Sequence, residues 1–503
     1  MVEIDLSLIA SHVLWSTFAI TIVLGIVMQK TRFCTMGAIT DILVMDEWTR
    51  MRQWLMAIGV AIIGVGFASS LGFLDTAKSI YTNPKINILS VLVGSICFGF
   101  GMVLASGCGS KTLVRMGGGS LKSFVVFLTL SLSAYMTLKG VFGVLRVNTL
   151  DTVSITLNQT QDLPSVLAPV LGISKNTLQI ILALAIGLPL IIFSLIKKNF
   201  RNFNNLLAAL VVGFAIVAVW LVSAQLGYVP EDPNTLEEAF IATNSGRMES
   251  LTYVAPYAYV IEWLIFFSDV SKKLTLGIVS VFGLFFGSLI YSLMTKTFRW
   301  ETFRNAEDTA NHLIGGVLMG FGGVTALGCS IGQGLSGLST LAISSFIAFA
   351  GFCVGAALGM RYLNWKMLPP PCEPVVSGNT IHQSISGGCG MPLQITCHTN
   401  QFGTLGQIGP EHVAEIAAQG YKSIINNRPD GEGGPSQPLN ADVEAAAKAL
   451  GLQYAYLPVV NGQFTGEEVA EMARLLKTLP GPILAFCRSG ARSTNIYHLA
   501  LEA

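Results

Sequence analysis

Charge is scarce in this sequence. Asp, Glu, Lys and Arg make up only 12% of its 503 residues, whereas soluble domains carry about 25%. With 52% hydrophobic residues and a mean hydropathy of +0.60, that scarcity excludes an ordinary soluble enzyme and describes a membrane protein. A net charge of +1 supplies no basic field for nucleic acid. The start, Met1-Val-Glu-Ile-Asp5, is acidic and lacks the basic region of a cleavable leader, so the first apolar stretch is expected to be retained as a span. No Walker-type phosphate loop occurs and no buried acidic relay stands out, so no energy source is legible. The nine cysteines are not spaced as a disulfide framework and are read as free thiols. Cys372, Cys389 and Cys397, with His382 and His398, fit no zinc spacing; neither a metal nor a cofactor is expected.

What charge there is divides unevenly. From residue 395 onward there are 7 basic and 10 acidic residues, a net of −3, which leaves 23 and 19 upstream, a net of +4. Two domains are therefore expected: a membrane part over 1–365 and, after a linker over 366–401 marked by Pro369, Pro370 and Pro371, a soluble domain over 402–503. Nine apolar stretches are long enough for a hydrocarbon core of about 30 Å. They lie near 11–29, 53–74, 88–106, 121–147, 176–196, 205–224, 274–295, 309–328 and 341–361. Two shorter pieces, near 35–45 and 252–267, read as re-entrant or tilted segments.

An internal repeat carries the most information. An offset of 221 places Gly94 on Gly315, Gly99 on Gly320, Phe100 on Phe321, Gly101 on Gly322 and Cys108 on Cys329, without a gap. Five spans separate the starts of the two copies, so they are expected to be inverted in the membrane, the usual build of a secondary transporter. The halves lie over about 11–147 and 205–361. With the N-terminus outside, the inner loops hold fifteen Lys and Arg against seven in the outer loops, which puts the C-terminal domain in the cytoplasm of a bacterial-type inner membrane.

Cysteines sit in glycine-rich breaks after three spans: Arg32-Phe-Cys-Thr-Met-Gly37, Ser106-Gly-Cys-Gly-Ser110 and Leu327-Gly-Cys-Ser-Ile-Gly-Gln-Gly334. A helix that starts after such a break aims unpaired N–H groups and a positive dipole end at the cysteine, a site for an anion without a buried full charge. A thiol is a soft, weak donor that can pass on a sulfur-bearing anion without holding it fast. The expected path residues are Cys34, Cys108 and Cys329, with Gly107, Gly109, Gly328 and Gln333 beside them; Cys97 and Cys353 read as packing residues. Lys111 and Arg115 either attract the anion at the inner mouth or are simply basic residues at a cytoplasmic end. These segments resemble the signatures of the YeeE/YedE-type thiosulfate transporters over roughly residues 10–365. The resemblance implies thiosulfate as cargo and a narrow path lined by three cysteines, matched here by Cys34, Cys108 and Cys329. Some members of that family are associated with selenium, which leaves the species of anion open.

The C-terminal part alternates strand-like runs at Ser423–Asn427, Tyr454–Val459 and Ile483–Phe486 with helical runs at Pro410–Gln419, Ala441–Leu450 and Gly466–Thr478. A strand delivers Cys487 into the loop Cys487-Arg488-Ser489-Gly490-Ala491-Arg492, whose N–H groups and opening helix converge on an anion at the thiol. Tyrosine phosphatases have His-Cys-x5-Arg, whereas rhodanese-like loops are commonly Cys-x4-Arg. Here Arg492 is five residues beyond Cys487 and Phe486 stands in the His position, which favours a persulfide-carrying sulfurtransferase. With Asn426-Asn-Arg-Pro-Asp-Gly-Glu432, the tail resembles the phosphatase-like family found beside β-lactamase-like persulfide hydrolases. Asp430 stands where a phosphatase would draw its general acid, and is expected to cap a turn instead. The expected fold class is thus an all-α membrane bundle of about nine transmembrane helices in an inverted repeat with re-entrant helices, followed by a small rhodanese- or phosphatase-like α/β domain. The expected function is uptake of thiosulfate and its delivery to Cys487, with membrane lipid and a soluble sulfur carrier as partners. A membrane-anchored sulfurtransferase without transport, a carrier of another sulfur or selenium species, and a tethered phosphatase remain as alternatives.

Overall fold

The computed structural model describes residues 5–233, 235–303, 305–367, 395–434, 437–460 and 464–502. The chain divides into two compact units between Leu363 and Asn364. The first unit carries helices α1 (Leu6–Thr31), α2 (Thr35–Met45), α3 (Thr49–Ser70), α4 (Ile88–Leu104), α5 (Gly109–Gly117), α6 (Leu121–Lys139) and α7 (Val141–Thr149). It continues with α8 (Leu163–Leu171), α9 (Lys175–Leu195), α10 (Phe203–Leu221), α11 (Val254–Ile265), α12 (Leu276–Met294), α13 (Ala306–Thr325) and α14 (Ile343–Met367). Two short antiparallel ribbons, β1 (Lys85–Ile86) with β2 (Ile155–Thr156) and β3 (Tyr228–Val229) with β4 (Ala239–Phe240), lie in its loops.

Among the described residues, eight helical stretches are long and apolar enough to cross a membrane, and the chain is a multi-pass membrane protein. The stretch expected near 309–328 is α13, which has 20 residues and opens on Glu307 and Asp308. The two shorter pieces are α2, of 11 residues, and the 12-residue α11. At 1.5 Å per residue neither reaches across about 30 Å.

Packing follows the repeat reciprocally. At the crossing of α4 and α13, a Cβ on Gly94 would lie 2.7 Å from the Gly322 carbonyl oxygen, and one on Gly315 would lie 2.7 Å from that of Gly101. Position 94 therefore meets 322 while 101 meets 315, so the two copies of this helix run antiparallel, as an inverted pair must. Elsewhere α1 runs parallel to α12 (Thr21 beside Gly283, Ile22 beside Gly287), and its counterpart α10 runs parallel to α3 (Gly213 beside Val60, Val217 beside Gly64). Lipid supplies no hydrophobic drive between helices, so these contacts depend on close backbone approach, which only a missing side chain permits.

The second unit is a five-stranded sheet in the order β5 (Thr396–Thr399), β6 (Phe402–Leu405), β9 (Ile483–Phe486), β7 (Ser423–Asn426), β8 (Gln453–Tyr456), with β5 antiparallel and the rest parallel. Helices α15 (Val413–Ala418), α16 (Asn440–Ala449), α17 (Gly466–Thr478) and α18 (Ala491–Glu502) complete it. The central strands β6, β7 and β9 are buried at every residue, as parallel strands covered on both faces are. One apolar cluster joins Ile425, Val459, Met472, Ile483 and Ile496; the other joins Ile408, Ile416, Ile424, Val443 and Leu484. Two expectations need correction. Residues 396–399, expected in the linker, are the sheet's edge strand, and Cys397, expected as a free thiol, is disulfide-bonded. Cys372, Cys389 and His382 lie outside the described residues.

Candidate functional site

The three cysteine breaks share one geometry. Two residues before each cysteine, a non-glycine residue ends the preceding helix in the left-handed region: Arg32 at φ 55°, Ser106 at φ 56° and Leu327 at φ 58°. Such residues cost on the order of 1 kcal/mol or more each. The chain then turns so that Cys34 and Cys108 become the N-cap residues of α2 and α5. The Gly37 N–H donates to Cys34 Sγ at 3.4 Å, and the Gly332 N–H donates to Cys329 Sγ at 3.4 Å, so a thiol stands where Ser or Asp usually caps a helix.

The breaks converge. Thr35, which follows Cys34, donates to Cys108 Sγ at 3.8 Å, and Ser110 Oγ lies 3.4 Å from the same sulfur. The hydroxyl of Thr252 lies 3.9 Å from Cys329 Sγ. Its neighbour Tyr253 packs beside Gly109, where a Cβ would meet the tyrosine Cβ at 3.7 Å, and Tyr257 Oη donates to the Gly109 carbonyl at 2.5 Å. Peptide bonds and these contacts together link Cys34 and Thr35 to Cys108, and bring Gly109 beside Tyr253, whose neighbour Thr252 touches Cys329. Cys108 lies within electrostatic reach of both other thiols. All three are buried, at 7%, 1% and 0% exposure. Cys97 and Cys353, expected as packing residues, are half-buried within α4 and α14.

The flanking residues divide by role. Gly107 lies under Lys111, where a Cβ would meet the lysine Cγ at 3.1 Å, and Lys111 has Cys34 and Cys108 as electrostatic neighbours. Arg115 instead donates to the Ser106 carbonyl at 3.1 Å and pairs with Glu301 at 3.4 Å, which ties it to the break and the neighbouring loop. Gln333 spans the third break: its amide donates to Ala326 at 2.7 Å and accepts from Ser345 at 2.6 Å. Gln333 braces the turn that positions Cys329. Gly328, at φ 158°, is extended there.

In the second unit, Cys487 follows β9 and is 1% exposed. Its loop lies at the carboxyl ends of β6, β9 and β7, where parallel sheets hold ligands. The Arg488 carbonyl accepts from the Gln407 N–H, and Gly490, at φ 86°, lets the loop turn against Leu405. Arg492 is held by Glu432 and by the Asn427 carbonyl at 3.2 Å, while its buried Nε has no partner among the described residues. Glu432 also accepts from Arg428 Nε at 2.8 Å, and Arg428 donates to Gln407 at 2.7 Å. Burial would raise the Glu432 carboxyl, but the hydrogen bonds from Arg428 and Arg492 outweigh it and hold the group below its ordinary value. Asp430 accepts from the Asn440 N–H at 2.9 Å and so caps the start of α16. Glu432, Arg428 and Gln407 were not singled out as site residues in the sequence. An acidic residue just after a strand that pairs with the arginine of a Cys-x4-Arg loop was the available signal.

Comparison with known proteins bears on both units. The family described as "Sulphur transport" matches residues 30–358, and "Beta-lactamase hydrolase-like protein, phosphatase-like domain" matches residues 394–502. A thiosulfate transporter of Escherichia coli is 28% identical over 330 residues, covering 62% of this chain and 84% of its own. A thiosulfate transporter of Spirochaeta thermophila is 26% identical over 363 residues, covering 70% and 98%. A beta-lactamase hydrolase-like protein of Xylella fastidiosa is 39% identical over 95 residues, covering 19% of this chain and 22% of its own.

Proposed function

Since the chain belongs to the sulphur-transport family, we propose that it imports thiosulfate past Cys329, Cys108 and Cys34 and delivers it to its own C-terminal domain. The observation that carries this reading is that three buried thiols, each in a helix break, are drawn toward one another by the Thr35–Cys108 and Thr252–Cys329 contacts and by Tyr257 bonded to Gly109. Multi-site, modest binding of this kind lets an anion enter and also leave. The relatives bearing the name of thiosulfate transporters support the choice of cargo. The excess of Lys and Arg in alternate loops supports an outside N-terminus, a cytoplasmic tail and residence in a bacterial-type inner membrane.

At the tail, the Cys487 thiolate attacks the outer sulfur of thiosulfate. A new S–S bond forms as the original one breaks, sulfite leaves with the bonding pair, and Cys487 becomes a persulfide. The loop amides and Arg492 hold the anion during this step. A soluble sulfur carrier then takes the sulfur, and fusion raises the local concentration of acceptor at the exit. The short Cys-x4-Arg spacing and the capping role of Asp430 favour this over phosphate-ester hydrolysis, because the carboxylate that stands where a general acid would be drawn from is engaged at the start of α16.

Uptake of labelled thiosulfate into proteoliposomes holding the whole chain is the test. Uptake persists in Cys487→Ala and falls at least about tenfold in Cys108→Ala and in Cys329→Ala. Unchanged uptake in both of the latter removes the thiol path. Sulfur transfer without any uptake by the unaltered chain supports a membrane-anchored sulfurtransferase instead, and competition by selenite or sulfide identifies a different cargo.

A further inference from the structure

We propose that an anionic phospholipid occupies a cleft between α5, α6, α11 and α12, with an acyl chain in the cleft and its phosphate at Lys296 and Arg299. The proposal goes beyond the transport reading and does not depend on it. The cleft has a volume of about 580 Å³, and its lining is apolar except for Ser120 and the indole N–H of Trp300. Phe124, Leu264 and Phe286 on its walls are 44%, 54% and 41% exposed, so it opens onto the side of the bundle.

Two short helices create this space. α6 and α12 have 19 residues each and are long enough to cross the membrane, whereas α5 has 9 and α11 has 12. At 1.5 Å per residue the short pair reach only about 14 and 18 Å. They begin side by side, where Gly109 meets Tyr253, and run to opposite ends of the bundle. Arg115 of α5 pairs with Glu301 beyond the end of α12, while Glu262 of α11 is held at 2.6 Å by Lys139, the last residue of α6. Leu113 and Met116 of α5 and Val260 and Leu264 of α11 form part of the cleft wall, at the seam between the two helices. A lining this apolar does not hold water, and an alkyl chain gains contacts with each methylene it inserts.

One end of the cleft is charged. Phe298 and Trp300 line it there, just beyond the end of α12, and Trp300 is 77% exposed, as tryptophans at a membrane–water boundary are. Lys296 and Arg299 stand beside them in sequence; both are exposed, and neither has an ion pair among the described residues. The Arg299 N–H donates to the Gly118 carbonyl at 3.1 Å, next to Gly119 in the cleft wall. Arg115 and Lys122 at the same end are instead taken up by Glu301 and Asp308, at 3.4 and 2.9 Å. Two uncommitted cations at the mouth of an apolar slot suit an amphiphile with an anionic head better than a zwitterionic one, whose own cation they would repel. The chain rests on Leu113 and Met116, on the helix that Cys108 caps, so the lipid also bears on the placement of that thiol.

Titration of the full-length protein in detergent micelles with dioleoyl-phosphatidylglycerol or dioleoyl-phosphatidylcholine tests the site, with bound lipid counted by native mass spectrometry. The unaltered chain holds phosphatidylglycerol about twentyfold more tightly, since each Lys or Arg near the phosphate contributes about fivefold. Lys296→Gln combined with Arg299→Gln removes that preference and leaves the unfolding temperature without lipid unchanged, because both side chains are exposed. Leu264→Trp narrows the slot and weakens binding of both lipids at least about fivefold. Phe124→Trp obstructs the α6 wall with the same effect and serves if the first variant does not fold. Equal binding of the two lipids by the unaltered chain, a preference that survives loss of both cations, or full lipid binding by the tryptophan variants overturns the site. Uptake enters none of these measurements, so their failure leaves the transport reading standing.

Discussion

Both units place a cysteine in the loop that leads into a helix, yet they surround it differently. In the membrane unit, Cys34, Cys108 and Cys329 are accompanied by hydroxyls and backbone N–H groups, with Lys111 near one end of the line. In the C-terminal unit, Cys487 shares its loop with Arg492, which Glu432 and the Asn427 carbonyl hold in place. Neutral donors spread over three sulfurs suit passage, whereas one thiol beside a fixed cation suits capture and bond breaking. On the proposed reading, similar local parts serve transport or chemistry according to the charge placed beside them.

The largest effect that separates the two sites belongs to the tail. Cys487→Ala abolishes sulfite release from thiosulfate, a loss of at least about a thousandfold, because the loop holds no other thiol. Sulfite measured in a coupled assay checks this, and retained release would place the chemistry elsewhere. A smaller contrast concerns glycine. Gly94→Ala forces a methyl against the Gly322 carbonyl and the Ala326 nitrogen, and it destabilises the bundle by about 1–3 kcal/mol. Gly466→Ala at the start of α17 meets nothing within 4 Å and leaves stability nearly unchanged or slightly raised. Thermal unfolding of the two variants decides, and equal losses would break the argument from backbone approach.

The smallest effect is in acid. Glu432 has its carboxyl held below the ordinary 4.5, so its pairing with Arg428 and Arg492 stabilises the fold at higher pH and is lost as pH falls through the depressed value. The tail therefore loses stability below about pH 4.5, and Glu432→Gln flattens that part of the profile. A profile that is equally steep in the variant would assign acid sensitivity to other groups.

Much of this architecture was legible in advance, for identifiable reasons. The repeat could be read because Gly94, Gly101, Gly315 and Gly322 are dictated by backbone contact, which leaves a mark in the residue type itself. The strands near 423, 454 and 483 and the three helices that precede them in turn could be read because apolar runs there are broken by turn residues. The edge strand at 396–399 could not, since Thr-Cys-His-Thr carries no apolar alternation and pairs on one side only. The left-handed turns at Arg32, Ser106 and Leu327 also gave no signal, because none is glycine. The contact of Thr252 with Cys329 was invisible, since only the fold brings them together. The role of Gln333 depended on Ser345, twelve residues away. The disulfide at Cys397 ran against a spacing that suggested none.

A structure of the full chain determined with thiosulfate tests the central claim most directly. The account predicts a tetrahedral anion with its outer sulfur against the thiol of Cys329 or Cys108 and its oxygens facing hydroxyl and backbone N–H donors. Thiosulfate found only outside the bundle or only at Cys487, with the three membrane thiols packed against protein, would contradict it.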